Sequence, residues 1–411
     1  MIKMRTILAS AYAVNPYKGS EDGMGWNFVY QIARFSKVIA VTRENNRPAI
    51  EKYMAEHPDE LYSNMRFIYF DLPYWMRFWK KGSRGAMLYY TLWQKGLPGF
   101  VKAQNLQFDI VHNLNFHNDW TPSYLWKLDK PFVWGPVGHH PLIPKQYLAS
   151  YKKSYWVKDR LTWLVKKLFW KFSPALNTTI HKADHILCMN KSVPEHLNLK
   201  GKKYSVIPSV ATQDVGFSID FAPDKFTLIT AGRLVPLKGF DLSILAFSKF
   251  IASVDEENKE KCKLIIVGSG PELPFYENLV IENKIEKQVQ FIEWIERDNL
   301  LELFKSSSAF LFPSHEGAGM VVAEALSVGL PVICLDNCGP GEFIDHECGF
   351  AIKEDGYAQT VTHLAKAIAG LFNNKQNLLR MSICARQHFE THFDWNVRGQ
   401  QLYNVYKNLV A

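Results

Sequence analysis

Four charged side chains stand out by the company they keep. Arg233 and Lys238 lie in "AGRLVPLKGF" (231–240), each beside a glycine, Gly232 and Gly239. Glu316 and Glu324 lie in "PSHEGAGMVVAEALSVGLPVI" (313–333), the first just ahead of a glycine-broken turn and the second inside an apolar run. A carboxylate among Met320, Val321, Val322, Ala323, Ala325 and Leu326 is excluded from an interior unless something pairs with it. An arginine supplies planar donors and a lysine a mobile point charge, a pair suited to an anionic leaving group. An ordinary basic turn is the plainer reading of the same residues. Carboxylates accept hydrogen bonds from hydroxyls, vicinal diols above all. Eight residues of ideal helix rise about 12 Å and turn about 80° beyond two full turns. Glu316 and Glu324 therefore meet an elongated ligand at different points, and free amides at a helix start hold a phosphate or sugar oxygen between them. Hydroxyls at two ends and phosphate in the middle describe a nucleotide sugar.

The elements that must position these groups are legible as a pattern used twice. "TILASAY", "KVIAVTR", "MRFIYFD", "FDIVHNL", "PFVWGPV" and "HILCMN" are short apolar runs separated by helical patterns. That alternation predicts a layered βα domain with a parallel sheet. It restarts after Pro208 with "FTLITAGRL", "CKLIIVGSG", "KQVQFIEWI", "SSAFLFPS" and "PVICLD". Residues 1–205 and 206–390 are read as the two domains, with 391–411 an amphipathic terminal helix that packs back on the first. Two such domains face across a cleft lined by strand carboxyl ends. Gly23 and Gly25 precede a helix expected near Trp26, whose amides favour a diphosphate; tight turns alone would also use these glycines. Gly268 in "IIVGSGPEL" is of the same modest kind.

Length and charge agree with two domains. A chain of 411 residues exceeds one ordinary core. Its net charge of +8 divides unequally, with Lys+Arg well in excess over residues 1–200 and Asp+Glu in excess beyond. The basic half suggests an anionic partner, a membrane surface or a phosphate-bearing substrate. No run of about 20 uncharged apolar residues is present, so no transmembrane helix is predicted. The apolar start of the chain reads as a first strand rather than a secretory signal. Six cysteines without a CxxC pair read as reduced core residues of a cytoplasmic protein.

Taken as a set, the motifs resemble those of retaining glycosyltransferases of family 4, of the bacterial polysaccharide or lipid-linked glycan type. The resemblance rests on "GRL…KG" (232–239), "VGSGPEL" (267–273) and "FLFPSHEGAGMVVAEALSVGLPVI" (310–333). It also rests on "YKGSEDGMGWN" (17–27) and "PSYLWKLDKPFVWGPVG" (122–138). It implies the GT-B fold, two Rossmann-like α/β domains facing across a deep cleft. It further implies that Arg233 and Lys238 bind the donor diphosphate and stabilise its developing charge. Glu324 would accept from the ribose and Glu316 from the transferred sugar. Gly317, Ala318, Gly319 and Met320 would complete the cradle, with Gly268 nearby and Trp294 and Ile295 beside the base. Gly23 and Gly25 would approach the phosphates from the first domain. The family also places a histidine near the sugar. His117 in "NFHND" is slightly favoured over His112 at the strand end, whose other reading is packing. His139 and His140 in "GPVGHHP" are possible acceptor or sugar contacts. Glu293 replaces a usual glycine and Ala318 a usual bulky apolar residue, and neither change removes a charged functional group.

The reaction implied is transfer of a hexosyl unit from a nucleoside-diphosphate sugar, UDP-sugar favoured over GDP-sugar, to a hydroxyl with retention. Double displacement would need a carboxylate close behind the anomeric carbon. The resemblance implies instead same-face attack, with the leaving phosphate taking the proton and Glu316 orienting the sugar. No cofactor or metal is expected, because no Asp-x-Asp is placed like a metal site. Two basic, aromatic segments, 72–95 and 150–171, suit an anionic headgroup layer. The expected acceptor is a glycan or lipid-linked saccharide at the inner face of the cytoplasmic membrane; nucleic acid is not expected. A nucleotide-sugar 2-epimerase and a non-catalytic nucleotide-sugar or membrane-binding scaffold are the alternatives.

Overall fold

The structure, a computed structural model, describes residues 4–82, 84–114, 118–217 and 225–409. Within it the chain forms two compact units. The first comprises Met1–His139, Trp163–Ser209 and Trp395–Ala411; the second comprises His140–Thr162 and Val210–Asp394. Chain order alone suggests one boundary near residue 205. The contacts instead group 140–162 with the second unit and 395–411 with the first.

The first unit carries β1 (Thr6–Ser10), β2 (Lys37–Thr42), β3 (Met65–Tyr69), β4 (Ile110–Asn113), β5 (Phe132–Val137), β6 (His185–Cys188) and β7 (Tyr204–Val206). They pair in parallel in the order β3-β2-β1-β4-β5-β6-β7. Strand order reverses between β1 and β4, where Ala9 stands opposite His112. The helix Ser20–Ala33 follows β1. It starts at Ser20 and not near Trp26, because Glu21 and Asp22 supply the acidic first turn that a helix N-terminus favours. Gly23 and Gly25 are thus buried inside the helix rather than ahead of it. The helix Trp395–Leu409 packs on this unit: Phe28 and Trp395 rings lie 5.5 Å apart. A Cβ at Gly399 would stand 2.4 Å from Gln31 Oε1, so a larger residue there must push the Gln31 side chain aside.

The second unit carries β8 (Phe226–Ala231), β9 (Cys262–Val267), β10 (Val289–Ile292), β11 (Ala309–Phe312), β12 (Val332–Leu335) and β13 (Gly349–Ile352). The order is β10-β9-β8-β11-β12-β13, again parallel. Side chains alternate between two cores. Leu228, Leu264, Ile266, Leu311 and Ile333 face one, and Ile229, Ile265, Phe310, Phe312 and Val332 the other. Both faces are buried, which is why these strands read as near-continuous apolar runs. Each fully buried Leu, Ile or Phe contributes about 1.5–3 kcal/mol. Tyr147, Tyr151 and Tyr155 dock the 140–162 segment on this unit; Tyr147 Oη meets Thr360 Oγ1 at 2.8 Å and Tyr155 Oη donates to Glu272 Oε1 at 2.7 Å. The order reverses between β8 and β11, and ligands of open α/β sheets bind outside the strand ends at such a point. The loops bearing Arg233, Lys238 and Glu316 leave those two strands.

Candidate active site

The loop after β8 makes a short 3₁₀ turn, Pro236–Lys238, closed by Gly239. Gly239 has φ +68°, and a Cβ there would lie 2.0 Å from the carbonyl oxygen of Pro313. Only glycine lets this turn press against the loop that follows β11. Hydrogen bonds then lock the two loops together. The His315 amide donates to Leu237 O at 2.9 Å, and Ser314 Oγ donates to the same oxygen at 3.2 Å. Ser314 Oγ also accepts from the Glu316 amide at 3.2 Å, and Asn337 Nδ2 donates to Ser314 O at 2.7 Å.

This frame brings Lys238 Nζ to 2.6 Å from Glu316 Oε2. Both side chains are more than four-fifths buried, and the ammonium lies 5.1 Å from the centre of the Phe312 ring. Arg233, earlier on the same loop as Lys238, is exposed. Gly268, at the end of neighbouring β9, has φ +145°, and a Cβ there would stand 1.9 Å from Gly232 O. The strand ends are therefore packed backbone to backbone around the loop that carries Arg233. Gly317 donates its amide to His140 Nδ1 at 3.1 Å. That bond fixes the tautomer, since Nδ1 must be unprotonated to accept. Ala318 and Met320 are half-buried against the core, and Gly319 caps the helix Met320–Ser327.

Glu324, on that helix, has a partner that its apolar neighbours demand. Arg297 Nε donates to its Oε1 at 2.7 Å, and Arg297 Nη2 donates to Thr212 Oγ1 at 2.8 Å. The carboxylate retains 14% of its side-chain exposure, enough to stay reachable. Sequence reasoning missed Arg297, Ser314 and Asn337. Arg297 opens the helix Arg297–Lys305, next to Trp294, which is 68% exposed, and Ile295, which packs on the core.

The remaining histidines divide. His117 lies outside the described residues. His112 is fully buried on β4; its Nε2 donates to Gly135 O at 2.7 Å and its Nδ1 faces the Tyr406 hydroxyl. Burial depresses its pKa to about 3, so the ring is neutral. His139 is buried and holds Asp119 Oδ2 through Nδ1 at 2.7 Å. The structure brings together Lys238 with Glu316 and His140 with Gly317. It commits both ring nitrogens of His112 to its own unit.

Comparison with known proteins first defines the fold. The structure of Anabaena Alr3699/HepE in complex with UDP superposes with a TM-score of 0.65 at 14% identity, covering 98% of this chain and all of that one. Sucrose-phosphate synthase from Thermosynechococcus elongatus gives 0.67 at 16% identity over 99% of both chains. WaaG, a glycosyltransferase of lipopolysaccharide biosynthesis, gives 0.59 at 17% identity over 97% of this chain and 99% of that one. The two Rossmann-like units thus make a GT-B-like fold. Residues 213–388, which hold every site residue of the second unit except His140, match the family described as "Glycosyl transferases group 1". A Haemophilus influenzae protein described as an uncharacterized glycosyltransferase is 32% identical over 160 residues, 38% of this chain and 42% of its own length. A GDP-mannose-dependent phosphatidylinositol monomannoside mannosyltransferase of Corynebacterium glutamicum is 26% identical over 183 residues, 42% of this chain and 45% of its own. The chain spans less than half the length of these two curated relatives.

Proposed function

We propose that the chain is a retaining hexosyltransferase of glycosyltransferase family 4, taking a nucleoside-diphosphate sugar, UDP-linked in preference to GDP-linked, as donor. The observation that carries this reading is the Lys238–Glu316 pair at the reversal point of the second sheet, with Glu324 on the adjoining helix. Arg233 and Lys238 take the diphosphate and hold the charge that develops as it leaves. Glu316 turns to the sugar hydroxyls once Lys238 is drawn to phosphate. Glu324, held by Arg297, accepts from the ribose. Gly317, Ala318, Gly319 and Met320 line the sugar and phosphate, Gly268 gives the backbone room, and Trp294 and Ile295 flank the base. Gly23 and Gly25 belong to the same proposal as donor contacts of the first unit, and His117 as the histidine nearest the sugar. The departing phosphate accepts the proton of the attacking hydroxyl, so the new bond forms on the face the leaving group vacates. Two cationic side chains carry the charge stabilisation, and no metal is required for the transfer.

The proposed acceptor is a glycan or lipid-linked saccharide, met by a peripheral enzyme on an anionic cytoplasmic membrane face. The support is the helix Lys153–Phe172. Val157, Leu161, Leu164, Val165, Leu168 and Phe172 are 45–64% exposed on it. Their spacing of 4, 3, 1, 3 and 4 residues makes one continuous stripe of an α-helix. Lys153, Lys158, Arg160, Lys167 and Lys171 fall on its flanks by the same helical geometry. Such a helix lies in a headgroup layer, where each cation near an anionic surface adds about 1 kcal/mol. Among the described residues no helix is long and apolar enough to cross a membrane.

The test is a donor screen by calorimetry with UDP-, GDP- and ADP-sugars on wild type and Arg233→Ala. Binding of one donor that weakens in the variant, followed by glycan extension with retained configuration and without added metal, is the expected result. Isomerisation of donor alone would replace this reading with an epimerase. Binding without turnover on any acceptor would replace it with a scaffold.

A further inference from the structure

Three ligating side chains converge at the carboxyl ends of three neighbouring strands of the first unit. Asp119 follows β4, His139 follows β5, and His196 ends the short helix Ser192–His196 that follows β6. His139 Nδ1 lies 2.7 Å and His196 Nε2 4.0 Å from the same oxygen, Asp119 Oδ2. One ligand atom from each residue lies within 4.8 Å of the other two. The two imidazole rings are 4.0 Å apart, and Trp170 walls them at 5.5 Å from His139 and 4.1 Å from His196.

Among the described residues, other bonds hold these groups in place and leave the ligand atoms to one another. Asn190 accepts from the His139 amide at 3.4 Å and donates to its carbonyl at 2.9 Å, and Trp170 Nε1 donates to the Asp119 carbonyl at 3.3 Å. Asp119 is 1% exposed, and a carboxylate so deep must be compensated. The groups that face its Oδ2 are two imidazoles. The hydrogen bond from His139 engages only one of them, whereas a divalent cation engages all three side chains. Bonds of about 2.0 Å in a tetrahedral shell put ligand atoms about 3.3 Å apart. The observed separations reach that value with shifts under about 1 Å. The His196 side chain is 28% exposed, so one edge of the cluster opens to solvent for entry of an ion and its water.

We propose that Asp119, His139 and His196 form a binding site for a divalent transition-metal ion of the Zn²⁺ class, with water in the open position. Two imidazole nitrogens and one carboxylate oxygen are the donor set such an ion takes. The ion ties together the loops that leave β4, β5 and β6, and so sets the conformation of the segment containing His139. It plays no part in stabilising the leaving diphosphate, which stays with Arg233 and Lys238. The proposal goes beyond the glycosyltransferase reading and stands whether or not that reading holds. The expectation of no metal rested on the lack of an Asp-x-Asp placed like a metal site; positions 119, 139 and 196 lie too far apart in the chain to have entered it.

The experiment uses the full chain, free of any polyhistidine tag and stripped by chelator, titrated with Co²⁺ and then Zn²⁺. One equivalent of Co²⁺ should raise ligand-field absorption of a low-coordinate site, bleached by one equivalent of Zn²⁺. Saturating Zn²⁺ should raise the unfolding temperature. His196→Ala, at an exposed helix end, should fold by circular dichroism and weaken Co²⁺ binding at least tenfold; Asp119→Asn should do the same. His388→Ala, in the second group of potential ligands, Asp345, Cys348 and His388, should leave binding unchanged. Absence of a stoichiometric Co²⁺ spectrum would overturn the proposal. So would a spectrum that survives His196→Ala or vanishes in His388→Ala. Should Asp119→Asn fail to fold, His196→Ala decides.

Discussion

At the scale of single residues, the question is how two largely buried carboxylates, one in a loop and one in an apolar helix, are tolerated, and the answer is that each has its own cation. Lys238 neutralises Glu316 at 2.6 Å, and Arg297 neutralises Glu324 at 2.7 Å. The need for a partner was legible from the neighbours of Glu324, while Lys238 was read from its glycine-flanked turn as a phosphate contact and not as the partner of Glu316. Arg297 was not, because it stands 27 residues upstream and only the fold brings it to that helix. On the proposed reading these partners predict different kinetics. Lys238→Ala removes a donor to the developing charge and should lower kcat by 10²–10³-fold, about 2.7–4 kcal/mol. Steady-state assay with saturating donor reads this directly, and an unchanged kcat would remove Lys238 from the mechanism. Arg297→Ala loosens a ground-state contact instead. It should raise the donor KM about tenfold, about 1.4 kcal/mol, with kcat nearly kept.

At the scale of elements, short apolar runs located the strands well, since the inner strands of each sheet are buried on both faces. Helix starts were harder. The sequence "GSEDGMGWN" contains three glycines, and the last two read as a loop; the structure winds both into the helix Ser20–Ala33. Acidic residues in the first turn, not the glycines, mark its true beginning. The turn at Gly239 is the opposite case, where a glycine is required by both φ and space. Gly239→Ala must either shift the Pro313 carbonyl or leave the left-handed region, at a cost of about 1–3 kcal/mol. Urea unfolding should show that loss, while Gly99→Ala, with nothing near its Cβ position, should show none of it. The stripe on the helix Lys153–Phe172 gives a third test. Leu161→Glu with Leu164→Glu should abolish sedimentation with phosphatidylglycerol vesicles and leave donor binding intact. Equal sedimentation of variant and wild type would remove this helix as the anchor.

At the scale of the whole molecule, the two α/β units were visible in the sequence as a repeated architecture. Their composition from discontinuous stretches was less so, because docking of 140–162 depends on tyrosines whose partners are distant. Tyr147 meets Thr360, and Tyr155 meets Glu272. The first unit also predicts a pH response. His112 titrates near 6.5 when unfolded but only near 3 when folded, so between these values the unfolded chain binds the extra proton. Stability should therefore fall as pH drops through this window, by up to about 1.4 kcal/mol per pH unit, and the His112 contribution should be level above 6.5. Urea midpoints between about pH 4 and pH 7 check this, with His112→Gln expected to flatten the slope.

The helix Trp395–Leu409 gives the molecule an order in time as well as in space. Tyr406 closes over His112, and Gly399 sits against Gln31, yet both are synthesised nearly 200 residues after Ser209, the last residue of the unit's preceding segment. At about 5–20 residues per second the ribosome needs about 10–40 s to cover that distance. The unit that emerges first is thus the one completed last. Throughout that interval the faces of Phe28, Gln31 and His112 that await this helix remain uncovered, and a nascent chain stalled before residue 395 is a natural substrate for chaperones.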